Sequence, residues 1–528
     1  MRKLFVCVVA ALMAVAAAPT QAKTPRDALV MAFQIDDIIT LDPAEIFEFS
    51  GAEFAGNTYD RLIGYDYQDV SNIYGVAAES WTISDDGKTF TFKMRPGIVF
   101  PSGNPMTAED AAFSLQRAIV LDKSPAFILT QFGFTADNVK DKIKAVDDMT
   151  LVIETDKAYA PTFVLYCLTA TISSIVDKKL VMEHEQDGDL GYNWLKTNYA
   201  GVGPFKLRQW KPNESLTLDR NDDYWGGAPA MKRVIIRHIV EPATQQLLLE
   251  KGDIDIARNL GPDQLSTVRN NPDTYIQEGV KGAIYYLGLS QKNEALSKPK
   301  VREALKYLID YKGMEGTVVK DLMTIHQAFL PKGFLGALEA TPYTLDINKA
   351  KELLAEAGYP NGFKVTMDTR NTSPIMEMAQ AIQATFAQGG VDLEIIPGDG
   401  GQTLTKYRAR NHDIYIGRWG PDYQDPHTNA DTFARNPDNS DDAKSKPLAW
   451  RNAWDIPEMT KLADAAVLER DPAKRAEMYL DIQKAHQATS PFVIMFQQIE
   501  VAGVRADTKG FIIGPSFDDN RYKDVTKE

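Results

Sequence analysis

The sequence predicts an α/β protein, and three observations carry that prediction. Helix-period and strand-period segments alternate without a break from Asp346 to Ile416. Capping residues and glycines stand at their junctions. Earlier, a strictly alternating strand is followed within a few residues by a helix start, so both element types pack closely along the chain.

Taken in order, the chain opens on Arg2 and Lys3, an almost wholly apolar run from Leu4 to Ala18, Pro19, and Thr20-Gln21-Ala22. A basic start, a short apolar run and a small-residue end predict a cleavable secretory signal over residues 1–22 rather than a membrane span. Cys7 precedes most of the apolar run and follows Phe5-Val6, which argues against a lipid anchor. Cys167, in Phe163-Val164-Leu165-Tyr166-Cys167-Leu168, is left without an internal partner and reads as a small buried hydrophobe.

Lys88 to Met94 alternates with Phe90, Phe92 and Met94 on one face, after a Ser84-Asp85-Asp86-Gly87 turn in which glycine takes a positive φ. Thr107 with Asp110 three residues on predicts a capped helix start. In the second half, Ala350, Leu353, Leu354 and Ala357 share one helical face between a capping Asp346 and a terminating Gly358. Phe363–Met367 then reads as a strand, Ile375–Ala387 as a helix and Val391–Ile396 as a strand. Leu404–Arg410 reads as a short helix and Asp413–Ile416 as a third strand. This order predicts a mostly parallel sheet with the carboxyl ends of its strands along one edge.

With 528 residues the chain exceeds one core and suits two or three domains. Its 44% apolar and 25% charged residues are those of an ordinary globular protein. The net charge of −14, with scattered Lys and Arg, supplies no basic stripe for phosphates, so a nucleic-acid partner is not expected.

Ligands of open α/β sheets sit beyond the carboxyl ends of the strands. The first strand runs out into Arg370, and the third into Arg418-Trp419-Gly420-Pro421-Asp422-Tyr423. A guanidinium at Arg370 and a carboxylate at Asp422, with Trp419 and Tyr423 between, form a clamp suited to a zwitterion. Read from pattern alone, the same residues also fit surface charges and core aromatics.

Several stretches resemble the bacterial extracellular solute-binding proteins of family 5, the dipeptide and oligopeptide receptors of ABC importers. The most specific begins Ala78-Glu79-Ser80-Trp81 and continues through Asp86-Gly87-Lys88-Thr89-Phe90-Thr91-Phe92, Arg95-Pro96-Gly97, Ser102-Gly103 and Thr107-Ala108-Glu109-Asp110. Leu41-Asp42-Pro43, Tyr59-Asp60-Arg61-Leu62, Gly201-Val202-Gly203-Pro204-Phe205 and Asp223-Tyr224-Trp225-Gly226-Gly227-Ala228-Pro229 follow the family order. So do Gly252-Asp253-Ile254-Asp255, Val301-Arg302-Glu303-Ala304-Leu305 and Ala350 to Gly358.

The resemblance implies the bilobed periplasmic-binding-protein fold of the large type, with an extra subdomain and a ligand cleft between two lobes. The implied lobes are 23–280, with the subdomain at about 65–180, then 281–490, and a C-terminal return over 491–528. It implies that Arg370 holds a peptide carboxylate and Asp422 an α-ammonium, and that Phe47, Glu48, Phe49 and Ser50 face the cleft. Arg418 departs from the family pattern, standing directly before Trp419 where glycine is usual, with Gly417 one earlier. A non-catalytic periplasmic monomer is implied, without cofactor or metal, whose partners are a small-molecule or short-peptide ligand and an inner-membrane ABC permease. Opines, glutathione, oligosaccharides and metal chelates remain alternative cargoes.

A secreted hydrolase is the remaining rival, and the sequence offers it little. No Gly-x-Ser-x-Gly elbow occurs, and Gly188 stands where His184-Glu185 would need a second histidine. Gly201-x-Gly203 lacks the third glycine of a dinucleotide loop. Of the six dispersed histidines, His412 and His427 flank the third strand and are expected to be solvated.

Overall fold

The computed structural model describes residues 24–528. The expected signal segment, with Cys7, lies outside them. The early strand forms as Thr89–Met94 with Phe90, Phe92 and Met94 buried and Lys93 exposed. Its hairpin partner is Ala78–Ile83, and Gly87 takes a φ of 74° in the turn. Ile143–Asp147 and Thr150–Glu154 complete a four-stranded antiparallel sheet. Helix Ala108–Leu121 covers it, and the Asp110 carboxylate accepts hydrogen bonds from both the N–H and the hydroxyl of Thr107. Cys167 is fully buried in this unit's core, and burial raises its thiol pKa well above the ordinary range.

The second half forms in the predicted order. Helix Ile347–Glu356 starts on the Asp346 carboxylate, which accepts from the Lys349 N–H, and Gly358 takes a φ of 93° beyond it. Phe363–Arg370 runs parallel to Val391–Gly398 and to Ile414–Trp419, so the three carboxyl ends share an edge. Helix Gly400–Arg408 starts earlier than its apolar pattern suggests, because Asp399 caps it through the Gln402 N–H.

Among the described residues these strands belong to one eleven-stranded sheet. The sheet is parallel over those three strands, but Ile414–Trp419 pairs antiparallel with Thr274–Leu289. That strand pairs antiparallel with Phe492–Arg505, and beyond it lie Ile256–Ala257, Ala28–Phe33 and the meander Arg233–His238, Ser215–Arg220, Phe205–Lys211. The sheet is therefore mixed rather than mostly parallel: those three strands are parallel, as is Ala28–Phe33 to both Arg233–His238 and Ile256–Ala257, but the two long strands between these groups pair antiparallel.

Those two strands join the halves. Residues 274–280 pair with 499–505 on one side, and 284–288 pair with 492–497 on the other. The register shifts between Val280 and Ile284. At that irregularity the fully buried Lys281 ammonium donates to Gly514 O at 2.6 Å, Ser516 O at 2.7 Å and Asn520 Oδ1 at 2.8 Å, and pairs with Glu500. Four acceptors compensate the cost of burying one cation, and they tie the C-terminal return to the junction between the halves.

Candidate functional site

Strand alternation sorts the third strand's side chains to two cores, with Ile414 and Ile416 in one and Tyr415 in the other. Arg418 follows the isoleucine side, emerges exposed at the strand end and lies 4.4 Å from the Phe49 ring centroid and 5.9 Å from that of Phe517. Phe49 and Phe517 themselves stack at 3.7 Å. Phe49 lies in the first part of the chain and Phe517 near its C-terminus, so Arg418 meets two segments distant from its own strand. Gly420 permits it: a Cβ there would stand 3.2 Å from Phe517 and 3.4 Å from Phe49. Trp419 turns to the opposite side, edge-on to Phe433 at 6.3 Å, with its indole N–H buried and unpartnered.

The loop beyond is held from beneath. Asp425 makes a bidentate ion pair with Arg475 at 2.6 and 2.7 Å, and both side chains are buried. Arg475 also donates to Ala466 O and to the Thr162 hydroxyl, which belongs to the first half. Tyr423 packs against Phe163 at 5.8 Å, a second contact across the halves.

Between these contacts lies a cavity of about 90 Å³, room for several waters. Phe47, Glu48 and Phe49 line one wall, Asp422 and Tyr423 the other, and Phe517 the end. Asp422 is half-buried there. Its backbone N–H donates to the Thr428 hydroxyl at 3.1 Å, and that hydroxyl lies 3.5 Å from its carboxylate. No cation pairs with it among the described residues. Burial pushes its carboxyl up to about 7, the Thr428 hydroxyl opposes this, and Asp431 adds to it. Glu48 is similar: burial raises its carboxyl, the backbone N–H groups of Phe47, at 3.2 Å, and of Glu48 itself oppose this, and the charges of Asp37 and Glu45 add to it.

Of the residues singled out from the sequence, Asp422, Tyr423, Phe47 and Phe49 thus come together around one cavity, with Arg418 resting on its aromatic wall. Arg370 is not among the lining residues. It is exposed at the edge of its strand, beside the Tyr415 phenol, where its charge opposes the rise that burial imposes on that phenol. A Cβ at Gly400 would lie 3.3 Å from the Arg370 guanidinium carbon, so the bare backbone there is what gives the arginine room. Ser50, expected to face the cleft, is buried and donates to Gln34 O.

Phe517 went unseen in the sequence. It reaches the cavity on a segment that Lys281 holds through Ser516 O and Arg61 through Asp518, and no local pattern records that. The histidines differ from expectation: His412 and His427 are buried rather than solvated, His412 within reach of Asn452 Oδ1 at 3.1 Å and His427 against Phe163. Burial pushes His412 down to about 4.

Comparison with known proteins places this geometry in context. Residues 72–441 match the family described as bacterial extracellular solute-binding proteins, family 5 Middle. The chain is 29% identical over 504 residues to the "Probable D,D-dipeptide-binding periplasmic protein DdpA" of Escherichia coli strain K12, covering 94% of this chain and 93% of that one. It is 25% identical over 494 residues to the glutathione-binding protein GsiB of the same strain, covering 91% and 92%. Among solved structures, the periplasmic binding protein DppA from Helicobacter pylori in complex with the peptide STSA superposes with a TM-score of 0.78 at 26% identity, over 95% of this chain and 98% of that one. The MoaA protein of A. tumefaciens R10 in complex with mannopinic acid shares the fold, with a TM-score of 0.79 at 22% identity over 96% and 100%.

Proposed function

Because the chain belongs to the bacterial extracellular solute-binding proteins of family 5, we propose that it is a periplasmic receptor for di- or short oligopeptides, closing on a zwitterionic ligand and delivering it to an inner-membrane ABC permease. The observation that carries the peptide reading is Asp422, a carboxylate on the wall of a cavity between the lobes with a hydroxyl but no cation beside it. An α-ammonium supplies the missing charge, and a charged hydrogen bond of this kind contributes about 1.5–3 kcal/mol. The names of relatives that bind D,D-dipeptides and the peptide STSA support the same class.

Arg370 is assigned the peptide carboxylate. It stands exposed at the carboxyl edge of the parallel strands, has no ion pair among the described residues, and lies between the Tyr415 phenol and the bare backbone of Gly400. Ligand contact with both Arg370 and Asp422 calls for a larger space than the present cavity, since pockets for small ligands span about 300–1,000 Å³. An open form therefore admits the ligand, and closure completes the contacts. The lobes are assigned to 23–280, 281–490 and 491–528. The register shift between Val280 and Ile284 supports the first crossing point. The receptor acts as a monomer, exported by its N-terminal segment, and turns over no substrate.

Calorimetric titration of Asp422→Asn tests the reading. Free-amine peptides are expected to lose about 10- to 100-fold in affinity, while N-acetylated peptides change little. Equal losses for both remove Asp422 from this role. Native mass spectrometry of the protein purified without denaturation is expected to reveal a peptide mass, and an opine or glutathione mass in its place redirects the cargo.

A further inference from the structure

Asp422 is not the cavity's only carboxylate without a cation among the described residues. Glu48, from the opposite lobe, lines the same space, and its carboxylate accepts from backbone N–H groups alone, that of Phe47 at 3.2 Å and its own. The wall between is largely hydrocarbon and aromatic: Ile46, Phe47, Phe49, Ile128 and Phe517. Two carboxylates then line one small space, and one ligand ammonium neutralises only one of them. Arg418, the cation nearest this wall, rests on the Phe49 and Phe517 rings and has no ion pair among the described residues. The strongest charges acting on Glu48 are the negative Asp37 and Glu45, which deepen its need for a cation.

We propose that the receptor prefers peptides whose first residue is basic, with the α-ammonium on Asp422 and the side-chain ammonium on Glu48. This rests on the peptide reading above and deepens it. A lysine-type side chain matches the wall in sequence: its methylene stem lies along the isoleucines and phenylalanines while its charged end reaches the second carboxylate. Preference comes from both signs of the balance. A basic side chain satisfies Glu48, whereas an apolar one buries that carboxylate further and an acidic one adds a third negative charge.

The test is isothermal titration of the full mature protein with Lys-Ala and Lys-Ala-Ala against norleucyl-Ala and norleucyl-Ala-Ala, which keep the stem and lack the charge. The wild-type protein is expected to bind the lysyl peptides at least about tenfold more tightly. In Glu48→Gln that ratio is expected to fall to near one, and to persist in Phe127→Ala, which removes an exposed ring outside the cavity lining and no charge. Equal affinity for lysyl and norleucyl peptides in the wild-type protein overturns the proposal, as does a preference that survives Glu48→Gln. Failure of all four peptides to bind overturns the peptide reading itself, and this inference with it.

Discussion

Asp422 shows what a carboxylate without a cation beside it costs the fold. Its carboxyl is pushed up to about 7 by burial, so without ligand it is largely neutral at pH 6 and largely charged at pH 8. An ammonium binds the charged form and draws the pKa down. Affinity for free-amine peptides is therefore expected to fall by about tenfold or more from pH 8 to pH 5.5, and to stay nearly flat in Asp422→Asn, as measured by titration calorimetry. Stability moves with the opposite sign. A carboxyl whose folded pKa lies above its unfolded value of 3.8 weakens the ligand-free fold as pH rises from about 4 through about 7. Asp422→Asn is thus expected to melt at a higher temperature than the wild-type protein at pH 8, with the difference closing toward pH 4. A site kept ready for a cation is held at some expense to the empty fold.

At the scale of elements, a strand end carries Arg418 and a helix carries Arg475, and the loop between them is positioned by the second. Arg475 sits on helix Pro472–Thr489 and holds Asp425, three residues beyond Asp422, through two short bonds in a dry environment. Removing one partner of such a pair leaves an uncompensated buried charge. Arg475→Met is expected to destabilise the protein by about 3–5 kcal/mol in urea unfolding and to weaken peptide binding. The double variant Arg475→Met, Asp425→Asn is expected to recover part of the stability, because the stranded charge is gone. Glycine matters at this scale as well: a Cβ at Gly282, in the irregular stretch of the long strand, would stand 2.9 Å from Pro421, directly before Asp422. The irregular stretch of the long strand therefore touches the loop that bears Asp422.

For the whole molecule, one sheet runs through both lobes, and the cavity closes where Arg418 meets Phe49 and Tyr423 meets Phe163. An irregular crossing in the long strands accompanies them, the arrangement in which a few residues absorb a domain rotation. Small-angle scattering is expected to show a fall in radius of gyration when a free-amine peptide is added to the ligand-free protein. The same concentration of peptide is expected to produce little change in Asp422→Asn, since the ligand then favours the closed form less.

What the sequence by itself determined is local or periodic. Alternation at Phe90, Phe92 and Met94, the Thr107–Asp110 cap, the amphipathic face of 347–356 and the order of the three parallel strands depend on neighbours within a turn or a strand, so their signals lie in adjacent letters. Family motifs added the two-lobed plan and pointed to Asp422 and to the stretch from Phe47. Only the tertiary structure decided that Glu48 and Asp422 share one cavity, that Phe517 closes it, and that Arg475 braces its loop. It also decided that Arg370 stands apart from that cavity and that two histidines read as solvated are buried. Each of these depends on which distant segments the long strands bring together, and a contact between residues hundreds of positions apart leaves no period or cap in the chain.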